Sequence, residues 1–250
     1  MRKGTPLAQN DSVQKGKEAA GVQAAQGVSP GMVLGLGTGS TVAFFLEALG
    51  GRYRAGEIPG IVGVPTSVRT AESAQALGIP LTTLEEAGSL DLMVDGADEV
   101  DPRLNLIKGL GGALLREKMV AQATRRMVVI VDGGKVVDRL GTQSPVPIEV
   151  VPFGWASHVP FLEGLGGHAV LRKEPDGEPF VTDNGNLILH CRFDGGISNA
   201  PALEMALAAR AGIVETGLFL GMAKEVLVGT REGVSRMFVE ETGPNHGDSI

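Results

Sequence analysis

The chain has 250 residues, 43% of them hydrophobic and 20% charged, with 37 glycines and a formal net charge of −7. That composition fits a globular chain with one large core or two unequal domains, and it excludes a disordered or disulfide-stapled scaffold. The only adjacent basic residues are Arg2-Lys3, Arg125-Arg126 and Arg172-Lys173, so nucleic acid is not an expected partner and an anionic ligand must be caught by local groups against the overall field.

The N-terminal segment "MRKGTPLAQNDSVQKGKEAAG" has no apolar stretch of the export type, and the longest aliphatic run, "MVVIV", is far too short to span a membrane. A cytoplasmic chain with no membrane partner is expected. Residues 1 to 11 and 241 to 250 are expected to be mobile tails. Between Ser12 and Thr142, helix-like stretches at 13 to 26, 40 to 49, 67 to 77 and 112 to 124 alternate with strand-like runs at 32 to 36, 61 to 64, 91 to 94 and 127 to 131. Strand, glycine-rich turn and helix in alternation predict an α/β fold with a doubly wound, mostly parallel sheet, whose ligands bind at the carboxyl ends of the strands.

The first such turn, "MVLGLGTGST" (32 to 41), opens a helix with Thr38, Gly39, Ser40 and Thr41, and free N–H groups at a helix start suit an anion. It is neither a Walker loop nor G-x-G-x-x-G, since Ser40 holds the last position. The second strand ends in Pro65-Thr66-Ser67, with no acidic residue for a ribose. A small phosphorylated molecule fits better than a dinucleotide.

The third strand runs into "DGADEVDP" (95 to 102), which puts Asp95 and Asp98 on the rim of the sheet. The spacing fails as a calcium loop, and His158, His168, His190 and His246 form no paired ligand set; no metal is expected. Glu99 is left without a role and Asp101 is expected to be a solvated turn residue. In "NLIKGLGGALLREKMV", a helix from about Gly112 sets Glu117 on a face with Ala113, Val120 and Ala121, and Leu114 lies beside that face. A carboxylate in apolar surroundings has a raised pKa and suits proton abstraction near neutrality. Lys108, with the N–H groups of Gly109 to Gly112, can stabilise an oxyanion. Together these point to proton transfer beside a carbonyl in a sugar phosphate.

After "GTQSPVPIEVVPFG" come an amphipathic stretch at 155 to 165, a strand pair around "TDNGN" and the helix-like "PALEMALAAR". A smaller α+β domain is expected over 143 to 216, inserted before "VETGLF", "EVLVG" and "VSRMFV" return to the first sheet, so that 1 to 142 and 217 to 250 form the larger body. The lone Cys191, in "LILHCRF", reads as a half-buried strand residue.

Four ordered motifs, "GLGTGST", "DGADEVDP", "KGLGGALLREK" and "DGGK" (132 to 135), resemble those of ribose-5-phosphate isomerase, type A, over roughly 12 to 240. The resemblance implies interconversion of D-ribose 5-phosphate and D-ribulose 5-phosphate through a cis-enediol(ate), in the pentose phosphate pathway, without a cofactor and in a homodimer or homotetramer. It implies Glu117 as the base, Asp95 as an aid to ring opening, and Lys108 with Gly109, Leu110 and Gly111 at the enediolate oxygen. Thr38 to Thr41, Lys17 and Lys135 would hold the phosphorylated end, and Gly96, Ala97 and Asp98 would line the sugar, Asp98 at its hydroxyls. Leu110 stands where some members have glycine. A non-catalytic sugar-phosphate sensor of related fold is the competing class, but it could lose Glu117 or Lys108 and usually adds a basic helix-turn-helix domain. An acyl-CoA-type transferase would form a thioester on a Glu and require CoA.

Overall fold

In a computed structural model, residues 6–238 are described. Helix α1 (Pro6–Gln26) leads into β1 (Val33–Leu36), α2 (Ser40–Arg54), β2 (Val62–Pro65), α3 (Val68–Ala76), the single turn α4 (Leu84–Ala87) and β3 (Leu92–Asp95). Short strands β4 (Glu99–Val100) and β5 (Leu106–Ile107) precede α5 (Leu114–Gln122) and β6 (Met127–Asp132). Then follow β7 (Val146–Val150), α6 (His158–Gly164), β8 (Gly167–Leu171), β9 (Leu187–Phe193), α7 (Ala200–Ala208) and β10 (Ile213–Thr216). The last strands are β11 (Leu218–Phe219), β12 (Ala223–Thr230) and β13 (Gly233–Phe238).

The main sheet has the order β13-β12-β6-β3-β1-β2, parallel except at β12–β13. Strand alternation sorts its side chains. Leu34, Leu36, Leu92, Val94, Val128 and Ile130 pack with Phe45, Leu46 and Leu49 of α2 and Ala20 and Ala24 of α1. Met93, Val129 and Val131 face the other way, onto Val120 and Ala121 of α5. Each large side chain buried in these two layers contributes roughly 1.5–3 kcal/mol. Because β2 lies on one side of β1 and β3 on the other, the chain reverses direction between β1 and β3, where a doubly wound sheet opens a crevice.

A second sheet, β10-β7-β9-β8, is antiparallel and packs its inner face against α6 and α7. A third, β11-β5-β4, joins the two. Of the three late segments, only "EVLVG" and "VSRMFV" return to the main sheet. The "VETGLF" stretch divides at Gly217, with β10 pairing with β7 and β11 with β5. The strand pairing around "TDNGN" reduces to one bridge, Val181 to Leu187, and β9 pairs instead with β7 on one side and β8 on the other. Pro175 and Pro179 in the intervening segment cannot donate to a ladder. At the N-terminus, the helix starts at Pro6 rather than Val13, because Pro suits a first helical position. Of the expected tails, 1–5 and 241–250 lie outside the described residues.

Candidate active site

A cleft opens at the crevice between β1 and β3. From the first turn it receives Thr38, Gly39, Ser40 and Thr41. Gly96, Ala97 and Asp98 enter after β3, and Lys108, Gly109, Gly111 and Glu117 come from the segment around α5. Lys17 of α1 and Lys135, in the 3-10 turn after β6, close one end. Asp95 and Leu110 lie behind the lining.

The turn after β1 is held tightly to β3. Gly37 N–H donates to Val94 O at 3.0 Å, and Thr38 N–H to Asp95 Oδ1 at 3.0 Å. A Cβ on Gly37 would collide with the Asp95 carboxylate, so glycine is required there. Helix α2 then starts at Ser40 with no side-chain cap, and its first N–H groups and positive dipole end face the cleft. Lys17 Nζ donates to Ser40 Oγ at 2.9 Å. A phosphate-sized anion here meets backbone N–H groups, two hydroxyls and two lysines.

Thr38 offers the cleft its backbone and methyl group, for its hydroxyl is engaged by Thr66, Ser67 and Thr70 at 2.8, 2.9 and 3.0 Å. This hydroxyl cluster, buried beneath the turn, also ties Thr66 to Leu36 O and Thr70 to Gly37 O. Its only sign in the sequence was the density of Thr and Ser in "VPTSVRT" at the end of β2.

Behind the cleft floor lies a buried charge group. Lys108 Nζ is 2.8 Å from Asp95 Oδ2 and 3.4 Å from Glu117 Oε2, and donates to Gly96 O at 2.6 Å. Asp95, Lys108 and Glu117 are 0%, 2% and 3% exposed. Burial pushes Asp95 up, opposed by Lys108 and by the N–H groups of Thr38 and Gly96. Burial alone would lower Lys108, but the two carboxylates hold it above its ordinary value. Glu117 rises from 4.5 to about 8, first through burial and then through the charge of Asp95, with Lys108 opposing. One ammonium cannot neutralise two buried carboxylates. The shared proton is therefore placed on Glu117 rather than on Asp95, because Asp95 Oδ1 receives two N–H groups and its Oδ2 lies nearer the ammonium, 2.8 Å against 3.4 Å for Glu117.

This has a consequence for stability. With its folded pKa raised, Glu117 holds a proton that the unfolded chain has released, so its contribution is fully present below about pH 4.5 and lost as the pH rises through about 8. Glu117→Gln is expected to raise Tm relative to the parent, by a margin that grows from pH 5 to pH 9 in scanning fluorimetry. A margin that does not change with pH would place an ordinary carboxyl at 117.

The four carboxylates of "DGADEVDP" divide two and two. Asp98 Oδ2 accepts Leu110 N–H at 3.0 Å and so pins the glycine-rich turn, in which Gly112 N–H returns to Gly109 O. The N–H groups of Gly109 and Gly111 have no partner among the described residues and flank Lys108. Glu99 is fully buried and accepts the N–H groups of Gly141, Gln143 and Ser144, a purely structural clasp. Asp101 is the partly exposed turn residue expected, and it also organises that turn, taking the N–H groups of Arg103 and Asn105 and the Asn105 amide as an Asx turn does. Among the described residues no three His, Cys, Asp or Glu side chains gather into a metal-holding group; His246 lies outside them. Burial pushes the Cys191 thiol up to about 12, which leaves it inert.

The family model for ribose 5-phosphate isomerase A (phosphoriboisomerase A) matches residues 62–233. A ribose-5-phosphate isomerase A of Chloroflexus aurantiacus is 50% identical over 232 residues, covering 93% of this chain and 97% of that protein. One of Roseiflexus castenholzii is 53% identical over 207 residues, 83% and 88% of the two chains. Among solved structures, a D-ribose-5-phosphate isomerase in complex with phospho-erythronic acid superposes with a TM-score of 0.88 at 41% identity, over 90% of this chain and 99% of that one. The ribose 5-phosphate isomerase A of Methanocaldococcus jannaschii gives 0.84 at 40%, over 89% and 97%.

Proposed function

The chain belongs to the ribose 5-phosphate isomerase A family, and from that membership we propose how its cleft interconverts D-ribose 5-phosphate and D-ribulose 5-phosphate. The observation that carries the reading is that a buried carboxyl with a pKa near 8, a buried ammonium and two free N–H groups meet at the floor of a cleft whose far end is an anion site.

The phosphate sits at the start of α2 with Ser40, Thr41, Lys17 and Lys135. The open-chain sugar then reaches back to Glu117, which removes the proton from C2 of the aldose. The electron pair forms the C1–C2 double bond, and charge moves onto the carbonyl oxygen, where Lys108 and the N–H groups of Gly109 and Gly111 stabilise it. The hydroxyl proton on O2 passes to O1, and Glu117 returns its own proton to C1, which completes the ketose. Electrons stay within the sugar, so no external redox partner enters the balance. Asp98, whose second oxygen remains available at the cleft, meets the sugar hydroxyls and the ring form. Asp95, buried behind Lys108, acts through Lys108 instead of touching the ring.

We also propose the division into a catalytic body (1–142 and 217–250) and a smaller domain (143–216), a cytoplasmic location, a place in the pentose phosphate pathway, and a homodimer or homotetramer. Phe153 and Met205, 93% and 71% exposed on the smaller domain, supply apolar surface for association. A single-chain mass in light scattering would refute the oligomer. A sensor is disfavoured because Glu117 and Lys108 both reach the cleft.

The test of function is a coupled assay for ribulose 5-phosphate formed from ribose 5-phosphate. Within it, Lys17→Ala and Thr41→Ala are each expected to raise KM on the order of tenfold, the scale of one charge-assisted hydrogen bond, with little change in kcat. If KM stays put in both, the phosphate binds elsewhere.

A further inference from the structure

The turn "TDNGN" of the smaller domain touches the catalytic body next to the base. Asp183 Oδ2 accepts the N–H of Val68, the first residue of α3, at 2.8 Å, and Asp183 O accepts from Arg116 Nη2 at 2.9 Å. Asn184 Oδ1 accepts from Arg116 Nε at 2.9 Å. The turn is itself fastened from below. Glu149 of β7 is fully buried, and its Oε1 accepts from the Thr182 hydroxyl at 2.9 Å and from the Asn184 and Asn186 amides at 3.2 and 2.9 Å.

Arg116 adjoins Glu117 in the first turn of α5. That turn has no side-chain cap of its own, since Ala113 holds the cap position. Just before it, Gly112, with φ of 95°, packs under Phe180 and Arg172, whose guanidinium lies 3.5 Å from the Phe180 ring centroid. A helix start without a side-chain cap is thus held from outside by the smaller domain, at Arg116 by the "TDNGN" turn and at Lys118 by Glu215 of β10, whose Oε1 accepts from Lys118 Nζ at 2.6 Å. The "TDNGN" turn also reaches Val68, whose neighbour Ser67 belongs to the hydroxyl cluster under Thr38.

We propose that the 182–186 turn is a positioning element for the isomerisation, in which Asp183 and Asn184, acting through Arg116, set the first turn of α5 and with it the Glu117 carboxylate against Lys108. The Asp183–Arg116 ion pair counts for little, because it is 3.7 Å long and both side chains are about a third exposed. The directional fork from Nε and Nη2 is what fixes the helix. Proton abstraction is sensitive to displacements of about 1 Å, so a loosened fork is read in kcat, while the phosphate end, built on α1 and α2, keeps its affinity.

This inference rests on Glu117 as the base, and the experiment separates the two. Arg116→Ala, Asn184→Ala and the double variant are assayed beside Glu117→Gln. The expected result is a fall in kcat of about tenfold in each single variant, with KM within about twofold, and no further fall in the double variant, because both substitutions break one link. The acid limb of kcat/KM should also move below the wild-type position, as water enters around Glu117. Asp183→Asn, which keeps the acceptor for Val68, should retain kcat better than Asp183→Ala. Unchanged kcat and limb in the Arg116 and Asn184 variants, even with a lowered Tm, would reduce the turn to a structural tie and overturn the proposal. So would a loss confined to KM. Near wild-type turnover in Glu117→Gln overturns it by the separate route of removing the base.

Discussion

Glu117→Gln is expected to lower kcat by about a hundredfold or more, with KM for ribose 5-phosphate nearly unchanged. A positioned acid-base group contributes roughly that factor, equivalent to about 2.7 kcal/mol or more in the barrier. The amide keeps the size of the side chain and its place under the Lys108 ammonium, but it cannot carry the proton between C1 and C2. In the parent enzyme, kcat/KM should rise with pH to a limb near 8, where the free carboxyl ionises. A variant with wild-type turnover and the same limb would remove Glu117 from the chemistry.

Lys108→Met is expected to cost both activity and stability. Loss of the donor at the developing oxyanion lowers kcat by about 10²–10³-fold. The fold also suffers, because Asp95 and Glu117 remain buried without their cation, a situation that costs about 3–5 kcal/mol. With the ammonium gone, both carboxyls shift further upward in the folded state, so the destabilisation is smaller at pH 5, where they can protonate, than at pH 8. Denaturant unfolding at the two pH values checks this. An equal loss at both would mean that the carboxylates are not ionised partners of Lys108.

The parts of the cleft that were legible in the sequence are carried by short contiguous stretches. The glycine-rich turn after β1, the carboxylates closing β3, and Lys108 with Glu117 each announce their chemistry within a few residues, and a parallel sheet brings strand ends to one rim. The parts that were not legible depend on distant partners. The Thr38 hydroxyl meets groups from the end of β2 and the start of α3, and Glu99 finds its three N–H donors more than forty positions away. The depth of Asp95 was hidden for the same reason. A strand-end position is compatible with the rim or the floor, and only the approach of Gly37 and Lys108 puts it beneath. The splitting of "VETGLF" between two sheets follows from competing strand partners, which residue pattern alone does not rank.

The place of β12 in the main sheet bears on the birth of the protein. Strand β6, the most apolar run in the chain, is buried along its whole length, yet one of its edges is covered only by β12, which begins about ninety residues later. At ribosomal rates of about 5–20 residues per second, that edge waits on the order of 5–20 s for its partner. The nascent chain carries an open, mostly apolar strand edge through that interval, while residues 133 to 222 are being made, and it is then that "MVVIV" is most exposed to pairing with another chain.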